Sequence, residues 1–343
     1  MRRIIVIALT LALLVGAVPA SAFAWCNGPT KNGSVGSGYG SHDWILDRAI
    51  TKAGAAGSWV KRTTALLASD DPDTSKWAAA TQHIFEKGPC RGAAQAVSDL
   101  YHKAIVAYRA GDMTAASRYL GQLSHCYSDI LQPFHTSSVA NSYKTLHTQY
   151  EWAVDDRQNT RTSSLSWITP RPAAPVTEVR QMTINAATFA RRLFPSLLSS
   201  YKASHSVAKG TPLRITKAVM SRAVNDLADI IAAIPTGAGE MTQPGAVELS
   251  VSRDNPRSGT SVEAFVRVTD AAGAPIDAVG VKLVWHVASG KAVYQSYTDA
   301  DGYVWEWQNI GDADNGQVLS VDAIVTVNGQ TTTTTHQLVA TKR

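Results

Sequence analysis

His125-Cys-Tyr-Ser-Asp129-Ile-Leu-Gln-Pro133-Phe-His135, followed twelve residues later by His147-Thr-Gln-Tyr-Glu151, is the most informative stretch of this 343-residue chain. Residues four apart on a helix project from one face, about a turn from each other, so His125 with Asp129 and His147 with Glu151 each form a two-point ligand pair. Three histidines and two carboxylates at this spacing would otherwise place polar groups on packed helix faces. The pattern therefore predicts metal ligands carried on helices. Mixed imidazole and carboxylate donors suit zinc with a position open to water.

The residues around this stretch keep the same period. Ser41 is placed to cap a helix whose inner face holds His42, Ile45 and Ala49. A second helix is expected over Ala93 to Ala110, ending at Gly111, and a third from about Thr114 towards Pro133. Further periodic segments cover Ser142 to Asp156, Val176 to Ser204 and Leu213 to Ile234. The expectation is an all-α bundle over residues 25–236, with metals held between facing helices.

Residues 237–246 are rich in Gly, Ala and Pro without a hydrophobic period, which marks a linker. After it the period becomes two, through Val247, Leu249 and Val251, then Val279, Val281, Leu283 and Trp285. Asn328-Gly329 between two such runs signals a tight hairpin. Residues 247–343 are thus expected to form a β-sandwich of immunoglobulin-like type. Trp305 and Trp307 alternate onto one strand face and are read as core-filling. The Asp299 and Asp312 loops are read as turns rather than calcium sites.

Residues 1–24 join two arginines, an apolar run and a Ser21-Ala22-Phe23-Ala24 cleavage pattern, the signature of a secretory signal peptide. The expected protein is secreted, extracellular and monomeric. Removing that segment takes Arg2 and Arg3, so +5 becomes 30 basic against 27 acidic side chains, or +3, too mild to demand a nucleic-acid partner. Three cysteines pass into an oxidising compartment. Cys126 points away from the ligand face and is read as a buried thiol, leaving Cys26 with Cys90 as the expected pair. His102, His205, His286 and His336 stand alone and are read as ordinary hydrogen-bonded histidines.

In the residues just quoted the chain resembles the zinc-dependent phospholipase C family of secreted bacterial enzymes, which shares its fold with zinc-dependent single-strand nucleases. Ser41-His42-Asp43-Trp44-Ile45 matches the family's first ligand histidine, and His83 matches the one between that helix and the main motif. The resemblance implies three zinc ions. His83, His125 and Asp129 would hold one, and Trp25, His42 and the other oxygen of Asp129 a second. His135, His147 and Glu151 would hold the third. Trp25 would act through its free α-amine and carbonyl oxygen, which the cut after Ala24 exposes. Asp70 matches the family's candidate general base, with Asp71 the competing choice. The implied activity is hydrolysis of phospholipids, at a membrane surface, to diacylglycerol and a phosphorylated headgroup. A zinc-dependent nuclease acting on single strands is the alternative. A surface-binding module with a degenerate helical half is the second. Choline-preferring members carry aromatics where this chain has Asp71 and Ala80, so the resemblance does not extend to a choline cage.

Overall fold

The computed structural model describes residues 25, 39–74, 91–136, 142–159, 167–238, 240 and 242–342. The signal segment, His83 and the Cys26–Cys90 pairing lie outside the described residues. The helical half comprises α1 (Ser41–Ala53), α2 (Arg62–Ser69), α3 (Asp71–Thr74), α4 (Arg91–Arg109), α5 (Met113–Asp129), α6 (Lys144–Asn159), α7 (Val179–Ser204) and α8 (Gly210–Ala233). Short 3-10 turns lie at Gly54–Gly57, Pro133–Thr136 and Ile234–Thr236.

The helix ends follow local chemistry. Helix α1 is capped by Gly40 rather than Ser41, because Asp43 turns back to accept from the Gly40 N–H at 3.0 Å. Asp112 caps α5, accepting from the N–H groups of Thr114 and Ala115. One glycine brings two helices together. A Cβ on Gly121 would collide with the Ala65 carbonyl and the Ala68 side chain, so only glycine lets α2 pack this closely on α5. That approach sets Ser69, at the end of α2, beside His125.

The apolar faces of α1, α4, α5, α7 and α8 meet in one core that includes Trp44, Leu46, Ile105, Leu120, Leu123, Val224 and Ile231. Cys126 is buried in it as a free thiol, and burial pushes its pKa well up, so it stays protonated. No helix among the described residues is long and apolar enough to cross a membrane.

The second half is a β-sandwich of two antiparallel sheets. The strands are β1 (Ala246–Val251), β2 (Ser261–Thr269), β3 (Gly280–Val287), β4 (Gly290–Tyr297), β5 (Tyr303–Asn309), β6 (Val318–Val327) and β7 (Gln330–Val339). They form a three-stranded sheet, β1-β2-β5, and a four-stranded sheet, β4-β3-β6-β7. Asn328 and Gly329 take φ of 47° and 75° and join β6 to β7, so the hairpin signal is borne out. Trp285 is fully buried between the sheets.

Trp305 and Trp307 correct the sequence reading: they face outward, 59% and 57% exposed. Val304 holds the inward position instead, opposite Val266 of β2. The cause is register, because β2 alternates strictly, with Val262, Ala264, Val266 and Val268 inside and Glu263, Phe265 and Arg267 outside.

The sandwich abuts the helical half. Gln95 of α4 accepts from the Gly280 N–H at 3.0 Å, and Arg180 of α7 donates to the Asp277 carbonyl.

Candidate metal centre

Helix α5 delivers His125 and Asp129 one turn apart, both fully buried. Helix α1 brings His42 to the same point. The two imidazole rings stack with centroids 3.9 Å apart. Their Nε2 atoms lie 3.3 Å from the two different oxygens of Asp129, His42 from Oδ1 and His125 from Oδ2. Asp129 thus presents one oxygen to each histidine.

The other ring nitrogens fix the tautomers. His125 Nδ1 lies 2.6 Å from the Ser69 carbonyl, which can only accept, so the proton sits on Nδ1. His42 Nδ1 lies 2.7 Å from the Ser128 hydroxyl, which already donates to the His125 carbonyl at 3.0 Å. Both rings therefore turn Nε2 towards Asp129, and imidazole with carboxylate is a zinc donor set. Without metal a proton takes that place. Burial opposes the charge on His125, but Asp129 and Asp73 outweigh it and hold its pKa well above the ordinary range.

Asp73 was not singled out from the sequence. Its Oδ1 lies 3.5 Å from His125 Nε2, and it groups with His42 and His125 as a set able to hold an ion. The turn after α2 folds back through the bond from the Asp73 N–H to the Asp70 carbonyl, at 3.2 Å. Asp70, the sequence candidate for general base, is buried at the end of α2. Asp71 instead accepts from Gln122 Nε2 at 2.9 Å, on the face towards α5. The run Asp70-Asp71-Pro72-Asp73 was visible; which carboxylate reached the histidines was not.

Trp25 is buried, and its indole N–H donates to the Ser128 carbonyl at 2.8 Å, one residue before Asp129.

The second cluster joins His135, on the turn after Pro133, to His147 and Glu151 of α6. Glu151 Oε1 lies 2.6 Å from His147 Nε2 and 3.4 Å from His135 Nε2. Burial raises the Glu151 pKa, but His147 and the hydrogen bonds from both histidines bring it below the ordinary value. The Phe134 ring stacks on His147.

Gln132 is the second residue that the sequence did not mark. Its backbone N–H donates to the Asp129 carbonyl and its own carbonyl accepts from the His135 N–H, each at 2.9 Å. Its side chain donates to Glu151 Oε1 at 2.9 Å and accepts from the Phe134 N–H at 2.5 Å. It thus ties the two clusters together. Its place inside the ligand motif was the available signal.

The isolated histidines lie elsewhere. His102 pairs with Glu240, His286 with Asp322 and His336 with Asp254, while His205 caps the end of α7 in a left-handed conformation. Among the aspartate loops, Asp299 accepts from the Asp301 and Tyr303 N–H groups and Asp314 pairs with Lys342, as turns do.

Two buried histidine–carboxylate clusters in a helical bundle, followed by a β-sandwich, define a metal-binding protein of two-part architecture. Residues 51–206 match the family model for zinc-dependent phospholipase C. The resemblance read from the sequence is met by that match over residues 51–206. Among solved structures it is similar to an alpha-toxin of Clostridium perfringens from an avian strain, at 12% identity. That match covers 87% of this chain and 97% of that chain, with a TM-score of 0.46. It is also similar to the alpha-toxin of Clostridium absonum, at 12% identity over 90% of this chain and 99% of that chain, with a TM-score of 0.44. Among curated protein sequences, none matches.

Proposed function

We propose that the protein is a secreted phospholipase C that hydrolyses phospholipids to diacylglycerol and a phosphorylated headgroup. The observation that carries this reading is Asp129, with one oxygen toward each of two stacked, tautomer-fixed histidines, in a domain that matches the zinc-dependent phospholipase C family. His42, His125, Asp129 and Asp73, with His83 and the Trp25 α-amine, form the proposed donor set of one pair of zincs. His135, His147 and Glu151 hold the third. Bound zinc supplies Lewis acidity, offsetting charge on the phosphate oxygens and lowering the pKa of water.

The chain's own residues do the rest. The Ser69 carbonyl and Ser128 hydroxyl hold the two imidazoles in the donor tautomer. Burial of His42, His125 and Asp129 excludes bulk water and strengthens every charge interaction at the substrate phosphate. Asp70, the general base implied by the resemblance and one turn from Asp73, is the carboxylate we assign to accept a proton from the attacking water. An α-amine exists at Trp25 only after cleavage following Ala24, so the site is complete only in the exported protein.

The test is release of diacylglycerol from phospholipid liposomes, run beside cleavage of single-stranded DNA, with metal analysis of the same preparation. Diacylglycerol release with about three zincs per chain supports the reading. DNA cleavage alone would replace it with the nuclease, and zinc-free protein inactive on both would end it.

A further inference from the structure

The outer face of the β1-β2-β5 sheet carries a row of aromatic rings that belongs to neither core. Tyr303, Trp305 and Trp307 project from β5 at 44%, 59% and 57% exposure, and Phe265 of β2 stands directly opposite Trp305. Residues two apart on a strand lie about 7 Å apart on the same face, so the rings form a flat strip rather than a protruding tip. Tryptophans this open cost solubility and add nothing to the interior, which marks the strip as a contact surface.

Charges interleaved with the rings select the occupant. Glu263 lies opposite Trp307, and Arg267 lies opposite both Tyr303 and Glu248. The Arg267 guanidinium sits 5.5 Å over the Tyr303 ring. Sinking Trp307 into hydrocarbon would drag the Glu263 carboxylate with it, a costly desolvation. With Glu248 and Glu263 against Arg267, the face also lacks the positive charge that an anionic surface attracts. A pyranose has the matching chemistry. Its C–H face lies flat on an aromatic ring while its equatorial hydroxyls reach carboxylates at the ring's edge.

We propose that this face binds an uncharged polysaccharide, with Trp305 and Trp307 as the platform and Glu263 accepting hydroxyl hydrogen bonds. The sandwich would then hold the helical half against a glycan-coated surface. The inference stands whatever the metal centre hydrolyses.

The test uses the full chain, by affinity electrophoresis in gels of soluble β-glucan, xylan and mannan and by co-sedimentation with cellulose and chitin. Retention on at least one is expected. In the Trp305→Ala/Trp307→Ala double variant affinity should fall at least tenfold, with circular dichroism and metal content unchanged, and Glu263→Gln should produce a smaller loss. Should the double variant unfold, Trp307→Thr, which keeps a residue suited to strand surfaces, reads the same platform. No retention on any of these polysaccharides, or retention unchanged by the variants, overturns the proposal. So does a variant that instead loses co-sedimentation with phosphatidylcholine vesicles, which would make the face a membrane contact. Loss of a concentration-dependent dimer in the variant would make it a self-association surface and overturn the proposal equally.

Discussion

Replacing Gln132 by methionine should loosen one metal site while sparing the other. The glutamine is fully buried, and its amide donates to Glu151 Oε1 at 2.9 Å, on the same oxygen that His147 and His135 approach. Methionine has similar length and fills the same space, so packing is nearly conserved and the hydrogen bond is the main loss. A hydrogen bond to a charged group contributes about 1.5–3 kcal/mol net. At about 1.4 kcal/mol per factor of ten, that is roughly a 10- to 100-fold weaker metal, the usual range for a group orienting a ligand. The variant also leaves the buried Phe134 N–H without its acceptor, which should cost the metal-free protein about 1–3 kcal/mol of stability. The assay is metal content against graded free zinc set by a chelator, with urea unfolding of the metal-free protein beside it. The metal proposed at His135, His147 and Glu151 should leave early, and those proposed at His42, His125 and Asp129 should stay. Release of every metal at the wild-type free-zinc concentration would refute the reasoning.

Three other outcomes follow from the same geometry. Asp73→Asn should weaken metal retention at the His42–His125 cluster and lower turnover at least tenfold, whereas Asp71→Asn should do neither. Equal metal loss in both variants would show that the Asp73 contact carries nothing. Burial raises Asp43 to about 6, against the hydrogen bonds from Gly40 and Ser69. Its folded form therefore takes up a proton as pH falls from 6 towards 3.8, so its stabilising contribution is complete below 3.8 and lost as pH rises to 6. Two pH units correspond to about 3 kcal/mol. Urea unfolding of metal-free protein at pH 7 and pH 4 should thus favour wild type over Asp43→Asn by most of that amount more at pH 4, and a constant difference would sink the assignment. Trp285→Ala, between the sheets, should cost about 3–5 kcal/mol. Trp305→Ala, on the open face, should cost no more than about 0.5 kcal/mol by the same unfolding measurement, and comparable losses would restore the inward reading of that strand.

Most of the helical half was legible because its signals are local. Gly111 stops α4 with φ of 77°, Asp112 starts α5 and Pro133 ends the run after Asp129, each through backbone chemistry confined to a few residues. The ligand pairs were legible for the same reason, since four-residue spacing on a helix fixes relative direction. Trp305 and Trp307 show where this stops. Alternation places them on one face of β5 but does not say which face, and the larger apolar mass pointed the wrong way. The partner strand decided it, because β2 turns its valines inward and pairing carries Val304 with them.

By itself, then, the sequence determined the helical and stranded halves, the hairpin at Asn328-Gly329 and the two histidine–carboxylate pairs, all of which rest on contacts within a turn or a strand repeat. The tertiary structure alone decided that Asp73 rather than Asp71 reaches His125, that Gln132 links the two clusters, and that an aromatic strip faces outward. Those facts depend on how closely α2 packs on α5 at Gly121 and on the register between β2 and β5. They are distances between segments far apart in the chain, and spacing along one segment does not contain them.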